Sequence, residues 1–367
     1  MDVGVLVRVL VLGCAAAASF GRRQGTHEPL LDAATGLMHR AAPPGADAVM
    51  GIAAYPHSAM DMFVTFVGTL RPVFDGHIIL GVRPHLSGRE RRYLVARNVT
   101  LYAVEPVDCD VGDADVHNPI RDKCDARHPK LKIEWARYAM ALRWLSACDA
   151  CTGFAMVTDV RDTFFQAHPF RTRYTPNWTA HQRMLMGRPL HDLYLIQEYS
   201  IPPYGQDNKH WFSWASIESC YGHEQRVRMM RTYRDKPIIC SGTTLGTRDG
   251  MLRYLGAITD RFLAMTTMGH KCIPPNAVDQ PVHIFMYYSG AFGPSAVALP
   301  YGESPVLTVG WTCDNPKLLL HRDAIGRFLN NDGRVAPVVH QWDRCANWVR
   351  AWLMDFAHRA APGRALV

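Results

Sequence analysis

Met156-Val-Thr-Asp-Val-Arg-Asp-Thr-Phe-Phe-Gln166 decides how this chain folds. The apolar run Gly153-Phe-Ala-Met-Val157 leads into it and stops at two carboxylates, Asp159 and Asp162. Unbroken apolar runs of this length belong to parallel strands buried on both faces, which predicts an α/β sheet. In open sheets of that class, ligands sit just beyond the carboxyl ends of the strands. Hard carboxylate oxygens at such a place suit Mg²⁺ or Mn²⁺, and a substrate phosphate is the usual companion of the metal. The stretch therefore reads as a metal and diphosphate site.

The flanking sequence fits the same sheet. Strands are predicted over 49–54, 77–82 and 99–104, with a helix over 58–70, and this alternation signals a doubly wound, mainly parallel arrangement. The clearest helix covers 131–145, where Trp135, Tyr138, Ala139, Leu142 and Leu145 form one apolar face and Glu134 and Arg137 lie off it. The chain then returns through Cys148-Asp-Ala-Cys151 into the Asp159 strand. An antiparallel return sets the first turns of the helix beside the carboxylates, so Arg137 is placed to reach a phosphate or nucleotide. A surface or ion-paired arginine is the plainer alternative. Further short strands are expected at 193–196, 237–240 and 337–340. Trp348, Trp352, Leu353 and Phe356 recur at helical spacing and mark a packing helix. Trp211, Trp214 and Tyr221 read as core before they read as a sugar-stacking surface.

Composition bounds the remaining possibilities. The 367 residues are 48% apolar and 20% charged, enough for a substantial core. The net charge of +7 is scattered, and its densest cluster, Arg89-Glu-Arg-Arg92, is too short for a nucleic-acid stripe. A moderately basic chain suits an anionic small molecule equally well. Residues 1–20 read as a secretory signal, with an uncleaved signal-anchor as the close rival, and 21–47 as a stem. Ten cysteines support a secretory compartment, ER or Golgi lumen or beyond, in which disulfides form. Cys109 with Cys124 and Cys148 with Cys151 are the nearest pairs. The pairing of Cys220, Cys240, Cys272, Cys313 and Cys345 stays open. Zinc is the alternative for the Cys148–Cys151 turn, although no second Cys-x-x-Cys completes a tetrahedral set. Sequons at Asn98 and Asn177 fit the same compartment.

Three segments join the first in a family resemblance. Asp159-Val-Arg-Asp162 resembles the Asp-x-Asp motif of GT-A-type glycosyltransferases, in the Asp-x-Arg-Asp form written by a eukaryotic group of nucleotide-diphospho-sugar transferase-like proteins. Ile238-Ile-Cys-Ser-Gly-Thr-Thr-Leu-Gly246, Asp279-Gln280 and Val338-Val-His-Gln-Trp-Asp343 follow in the same order. The resemblance spans roughly residues 48 to 344. It implies a GT-A-like domain over 48–367, with a doubly wound, mixed but mainly parallel sheet flanked by helices. It also implies metal-dependent transfer of a sugar from a nucleotide-sugar donor to a glycan or glycoprotein acceptor. Asp159, Asp162 and His340 would hold Mn²⁺ or Mg²⁺, and the imidazole tilts the choice toward manganese. Arg137, Thr158, Ser241, Gly242 and Gln280 would line the donor, and Asp279 with Glu198 would supply the catalytic carboxylates.

Arg161 stands where the motif's second carboxylate belongs, so Asp162 falls one residue late and has an ion pair with Arg161 as its alternative role. Two other functions share these features. A haloacid-dehalogenase-like phosphatase also places an aspartate after an apolar strand, but needs a second Asp where Arg161 stands. A degenerate transferase kept as a carbohydrate-binding module is the non-enzyme reading.

Overall fold

The computed structural model describes residues 32–54, 59–109, 123–171, 191–199, 211–233, 236–267, 279–310, 312–313, 320–345 and 347–360. The strands are β1 Leu37–His39, β2 Ala48–Ala53, β3 His77–Val82, β4 Val99–Ala103, β5 Pro106–Asp108, β6 Lys123–Asp125, β7 His128–Lys132, β8 Phe154–Thr158, β9 Thr163–Phe165, β10 Leu193–Gln197, β11 Ile239–Thr247, β12 Ala296–Leu299, β13 Val306–Thr308 and β14 Val338–His340. The helices are α1 Ala59–Leu70, α2 Gly88–Val95, α3 Ile133–Ser146, α4 Trp211–Tyr233, α5 Arg248–Thr267, α6 Gln280–Tyr288 and α7 Asn347–Ala360.

The central sheet runs β1-β4-β3-β2-β8-β11-β10-β12. β2, β3, β4 and β8 are mutually parallel. β11 runs antiparallel to both β8 and β10, and β12 returns parallel to β10. The fold is thus the mixed, mainly parallel α/β sheet flanked by helices that the sequence predicts. From β2 the chain steps outward to β3 and β4, then comes back to the other side as β8. That reversal opens a crevice beyond the carboxyl ends of β2 and β8, the place where such sheets bind ligands.

Alternation along the strands divides the core between two faces. Ala48, Met50, Ile52, Ala155 and Val157 pack under α3 and α5, whereas Val49, Ala53 and Met156 pack under α1. Phe63 and Phe66 of α1 are fully buried there. Each such side chain contributes about 1.5–3 kcal/mol by leaving water. α3 buries more than one stripe, because the sheet lies on one side and α5 on the other. Trp144 stacks on Tyr102 with ring centres 5.2 Å apart, and Trp135 stacks on Phe262 at 4.7 Å.

Two boundaries differ from the sequence reading. β1 falls inside the stretch read as a stem, yet it pairs with β4 and buries Leu37 and Met38. The strand expected at 237–240 runs on through Ser241 to Gly246 as β11, with a register shift opposite Leu195 and Ile196. The packing helix at the C-terminus is α7, which buries Val349 and Leu353. The residues before 32, Asn177 and Cys272 lie outside the described residues. Among the described residues no helix is long and apolar enough to cross a membrane.

Both expected disulfides are present, Cys109–Cys124 and Cys148–Cys151, and Cys313–Cys345 joins them. Cys240 is free and buried.

His283 on α6 is wholly buried, with Nδ1 2.9 Å from the Tyr254 hydroxyl. Burial, helped by the nearby Arg137 charge, pushes its pKa down to about 3. Its folded value lies below its unfolded one, so in the interval only the unfolded chain takes the proton. The stability this group contributes is therefore full above pH about 6.5 and is lost as pH falls toward 3, by up to about 1.4 kcal/mol per pH unit. Urea unfolding across that range should show a shallower pH slope in His283→Gln. An unchanged slope would remove His283 as its source.

Candidate active site

Four residues separate β8 from β9, and their conformation builds the site. Val160 is fully buried against the α1 face of the core, which leaves Asp159 and Asp162 on either side of it. The Thr158 and Thr163 hydroxyls meet at 3.1 Å and close the base of this loop. Thr158, placed by sequence along the donor, is therefore buried and spends its hydroxyl inside the loop.

β9 then pairs with β14, which sets His340 opposite Thr163. The backbone N–H of Gln341 donates to the Asp162 carbonyl at 2.8 Å, fixing the two segments together. Gln341 adopts the left-handed conformation (φ 63°, ψ 30°), uncommon for a residue with a side chain and typical of functional sites. Its side-chain amide donates to Glu198 at 3.3 Å.

Asp159, Asp162 and His340 thereby converge, with their ligand atoms all within 4.8 Å of one another. His340 Nε2 lies 3.5 Å from Asp162 Oδ1 and 3.7 Å from Asp159 Oδ2. Nε2 and Asp162 Oδ1 are both buried and lack hydrogen-bond partners. Two orphaned donors of electron pairs aimed at one point, beside a carboxylate that is one-third open to solvent, fit a divalent cation. The cation would keep open positions on the solvent side for phosphate oxygens and water.

Electrostatics favour the charged forms. Burial would raise the Asp159 pKa, but Arg137 and His340 outweigh it and hold the carboxylate well below its usual range. Burial would likewise lower the His340 value, yet Cys240, Asp162 and Asp159 hold it well above the ordinary one. The Cys240 sulfur sits 3.4 Å from His340 Nδ1. Without a cation the neighbouring carboxylates favour an imidazolium there; a cation would take the place of the Nε2 proton, while the Nδ1 proton stays facing Cys240. The sequence marks Cys240 only as a cysteine of open pairing, whereas here it is a thiol beside the site, one strand residue before Ser241.

β11 forms the opposite wall. Its register shift presses the Gly242 backbone against the loop, and its carbonyl accepts from the Asp159 N–H at 2.9 Å. A Cβ on Gly242 would lie 2.6 Å from His340 Nε2 and 2.8 Å from Asp159 Oδ2. Gly242→Ala should therefore displace the ligands and lower Mn²⁺ affinity at least about tenfold, while leaving the sheet in place. Calorimetric titration that finds wild-type affinity would show that this wall does not border the cation.

Arg137 occupies the place that the helix return predicts, though not as a surface residue. Its guanidinium pairs with Asp159 and with Asp279 and donates to the Ser241 carbonyl at 2.8 Å. Asp279 also accepts from the Tyr138 hydroxyl at 2.5 Å and from Ser241 Oγ at 2.9 Å. Tyr138, on the apolar face that the helix period marks, packs its ring in the core while its hydroxyl faces the site. The charges around it hold Arg137 firmly protonated despite its burial. Gln280 donates to Glu198 at 2.9 Å and to the Ile239 carbonyl at 3.1 Å. Glu198 is buried, not a solvent-exposed carboxylate. Arg161 reaches Asp343 at 3.2 Å.

No family model and no curated protein sequence matches the chain. Solved structures it is similar to include one described as the galactosyltransferase LgtC in complex with donor and acceptor sugar analogues. That comparison has 11% identity and a TM-score of 0.40, and covers 86% of this chain and 95% of that one. Another is the glycosyltransferase GlyE of Streptococcus pneumoniae TIGR4, again at 11% identity and a TM-score of 0.40, covering 88% of this chain and 66% of that one. Likeness at that level is too slight to assign an activity.

Proposed function

We propose that the protein is a metal-dependent glycosyltransferase of GT-A type. It would move a sugar from a nucleoside-diphosphate donor to a glycan or glycoprotein acceptor. The observation that carries this reading is the convergence of Asp159, Asp162 and His340 at the carboxyl end of β8, from segments far apart in the chain. A bound Mn²⁺, or Mg²⁺, would supply Lewis-acid stabilisation of the charge that grows on the leaving diphosphate. The single imidazole favours manganese.

The chain's own residues then have separable roles. Asp159 and Asp162 bring negative charge to the cation, and His340 is oriented by Cys240 behind it. Arg137 stands where it can exchange its carboxylate partners for phosphate oxygens. Gly242 keeps the wall low enough for close approach of a ligand. Asp279 and Gln280, held by Tyr138, Ser241 and Glu198, are positioned to orient sugar hydroxyls near the anomeric carbon. Glu198 supports Gln280 and Gln341 from behind, and serves better as a brace than as a base.

Three disulfides support a lumenal or secreted location. Residues 1–20 would serve as signal or anchor. Asn98 is half-buried and its Oδ1 accepts from the Ala42 N–H.

The test is a screen of nucleotide sugars for transfer or slow hydrolysis, with and without Mn²⁺. Metal-dependent release of a nucleoside diphosphate is expected. Hydrolysis of simple phosphate esters with no sugar-nucleotide turnover would replace this reading by a phosphatase. Carbohydrate binding with neither activity would replace it by a binding module.

A further inference from the structure

A second cluster of metal-ligating side chains lies away from the crevice, where α3 turns into β8. His77, Cys148 and Cys151 bring one ligand atom each within 4.8 Å of the others. The sheet explains why they meet. His77 opens β3 and lies abreast of Ala48, which in turn lies abreast of Ala155 on β8. His77 shares its sheet face with Ile79, Ala48, Ala155 and Cys151, the face covered by α3. The two alanines leave room for an imidazole to extend beneath the turn that ends α3. His77 is 94% buried by this arrangement, at 6% exposure, and its Nε2 has no hydrogen-bond partner. An orphaned buried nitrogen beside two sulfurs has the chemistry of an unfinished ligand set.

We propose that reduction of the Cys148–Cys151 disulfide converts this turn into a zinc site, with both thiolates and His77 as ligands and water as the fourth. A dithiol reductant supplies two electrons and two protons, giving two thiols and its own cyclic disulfide. Zn²⁺ binding then releases the two thiol protons. The product is neutral at the metal, which suits a buried position. Zinc needs its sulfur and nitrogen ligands about 3.3–3.8 Å apart. The existing cluster requires the sulfurs to part and the imidazole to draw in slightly. Cys151 is fixed in the core, whereas Cys148 is half-buried in the turn and has freedom to rotate. A cleft of ≈ 360 Å³ lined by Asp149, Thr152, Thr247, Arg248 and Asp249 lies beside the turn.

Soft sulfur ligands separate this site from the Asp159 cluster, since they favour zinc over Mg²⁺ and Mn²⁺. The consequence is a turn that stays clasped in either redox state, by a covalent bond when oxidised and by a metal when reduced. The inference does not depend on the proposed transferase activity.

The experiment is zinc titration of the whole protein before and after dithiothreitol treatment and desalting, in excess Mg²⁺. Co²⁺ serves as the spectroscopic substitute. One additional zinc equivalent is expected after reduction, with thiolate-to-cobalt charge transfer and tetrahedral visible bands. Cys148→Ser should abolish that equivalent, and His77→Gln should weaken it at least about tenfold. Reduction also opens Cys109–Cys124 and Cys313–Cys345, so the reduced Cys148→Ser protein gives the baseline for zinc bound at other thiols. Circular dichroism of the reduced protein and of Cys148→Ser reports whether the fold survives an open turn. No reduction-dependent equivalent, unchanged affinity in His77→Gln, or unfolding on reduction would each overturn the proposal.

Discussion

Asp159→Asn should lose metal-dependent nucleotide-sugar turnover by at least about a hundredfold while remaining folded. The amide keeps the shape of the side chain but withdraws a negative charge from the cation, and Asp162 with His340 cannot compensate for it. Stability should fall only slightly. Arg137 keeps Asp279 and the Ser241 carbonyl as partners, and Asp159 is one-third exposed, so the lost ion pair is worth about 1 kcal/mol or less. A gain in stability, the outcome expected if the two neighbouring carboxylates simply repelled each other, is not anticipated, because Arg137 and His340 already stand among them. The measurement is Mn²⁺-dependent turnover beside thermal unfolding. Full turnover in the variant would end the metal-site assignment and the transferase reading with it.

Arg137→Ala should have its largest effect on the fold itself. The guanidinium bridges two carboxylates, and Asp279 is almost fully enclosed. Removing one partner of a buried ion pair leaves an uncompensated charge and costs about 3–5 kcal/mol. The lower end applies here, because Asp159 retains contact with solvent and, with Arg137 gone, its carboxyl is no longer held low and takes up a proton more readily. For that reason the loss should shrink as pH falls. Arg137→Lys should recover only part of it, since one ammonium cannot span Asp159, Asp279 and the Ser241 carbonyl together. Urea unfolding of the three proteins at two pH values decides the matter. Wild-type stability in Arg137→Ala would mean that the carboxylates are held apart by some other means.

These two residues also measure what the sequence discloses. Asp159 was legible because a strand buried on both faces has no polar position until it ends, so the first carboxylate marks the rim. Arg137 was legible in place but not in role. The helix period and the short return fixed where it stands, whereas its main partner, Asp279, is 142 residues away and has no local signature. The strand expected at 237–240 stopped short of Ser241 to Gly246 for a physical reason: small residues and two glycines carry little strand signal of their own. Here they form a strand because β8 and β10 supply hydrogen-bond partners on both edges. His340 and Asp162 were named from motif order, yet their union depends on the pairing of β9 with β14. Tyr138 was hidden by its own ring, whose burial satisfies the helix pattern and conceals a hydroxyl facing the other way.

The β9–β14 pairing has a temporal consequence. Asp159 and Asp162 leave the ribosome long before His340, and the imidazole reaches them only when β14 closes its small sheet. Contacts so distant in sequence form late, after local helices and the β2–β3–β4 unit have had time to assemble. The nascent chain therefore carries Asp159 and Asp162 without His340 for about half of its synthesis. A chain cut at 338 keeps every strand of its central sheet but loses His340. On the proposed reading, the tail completes the cation seat.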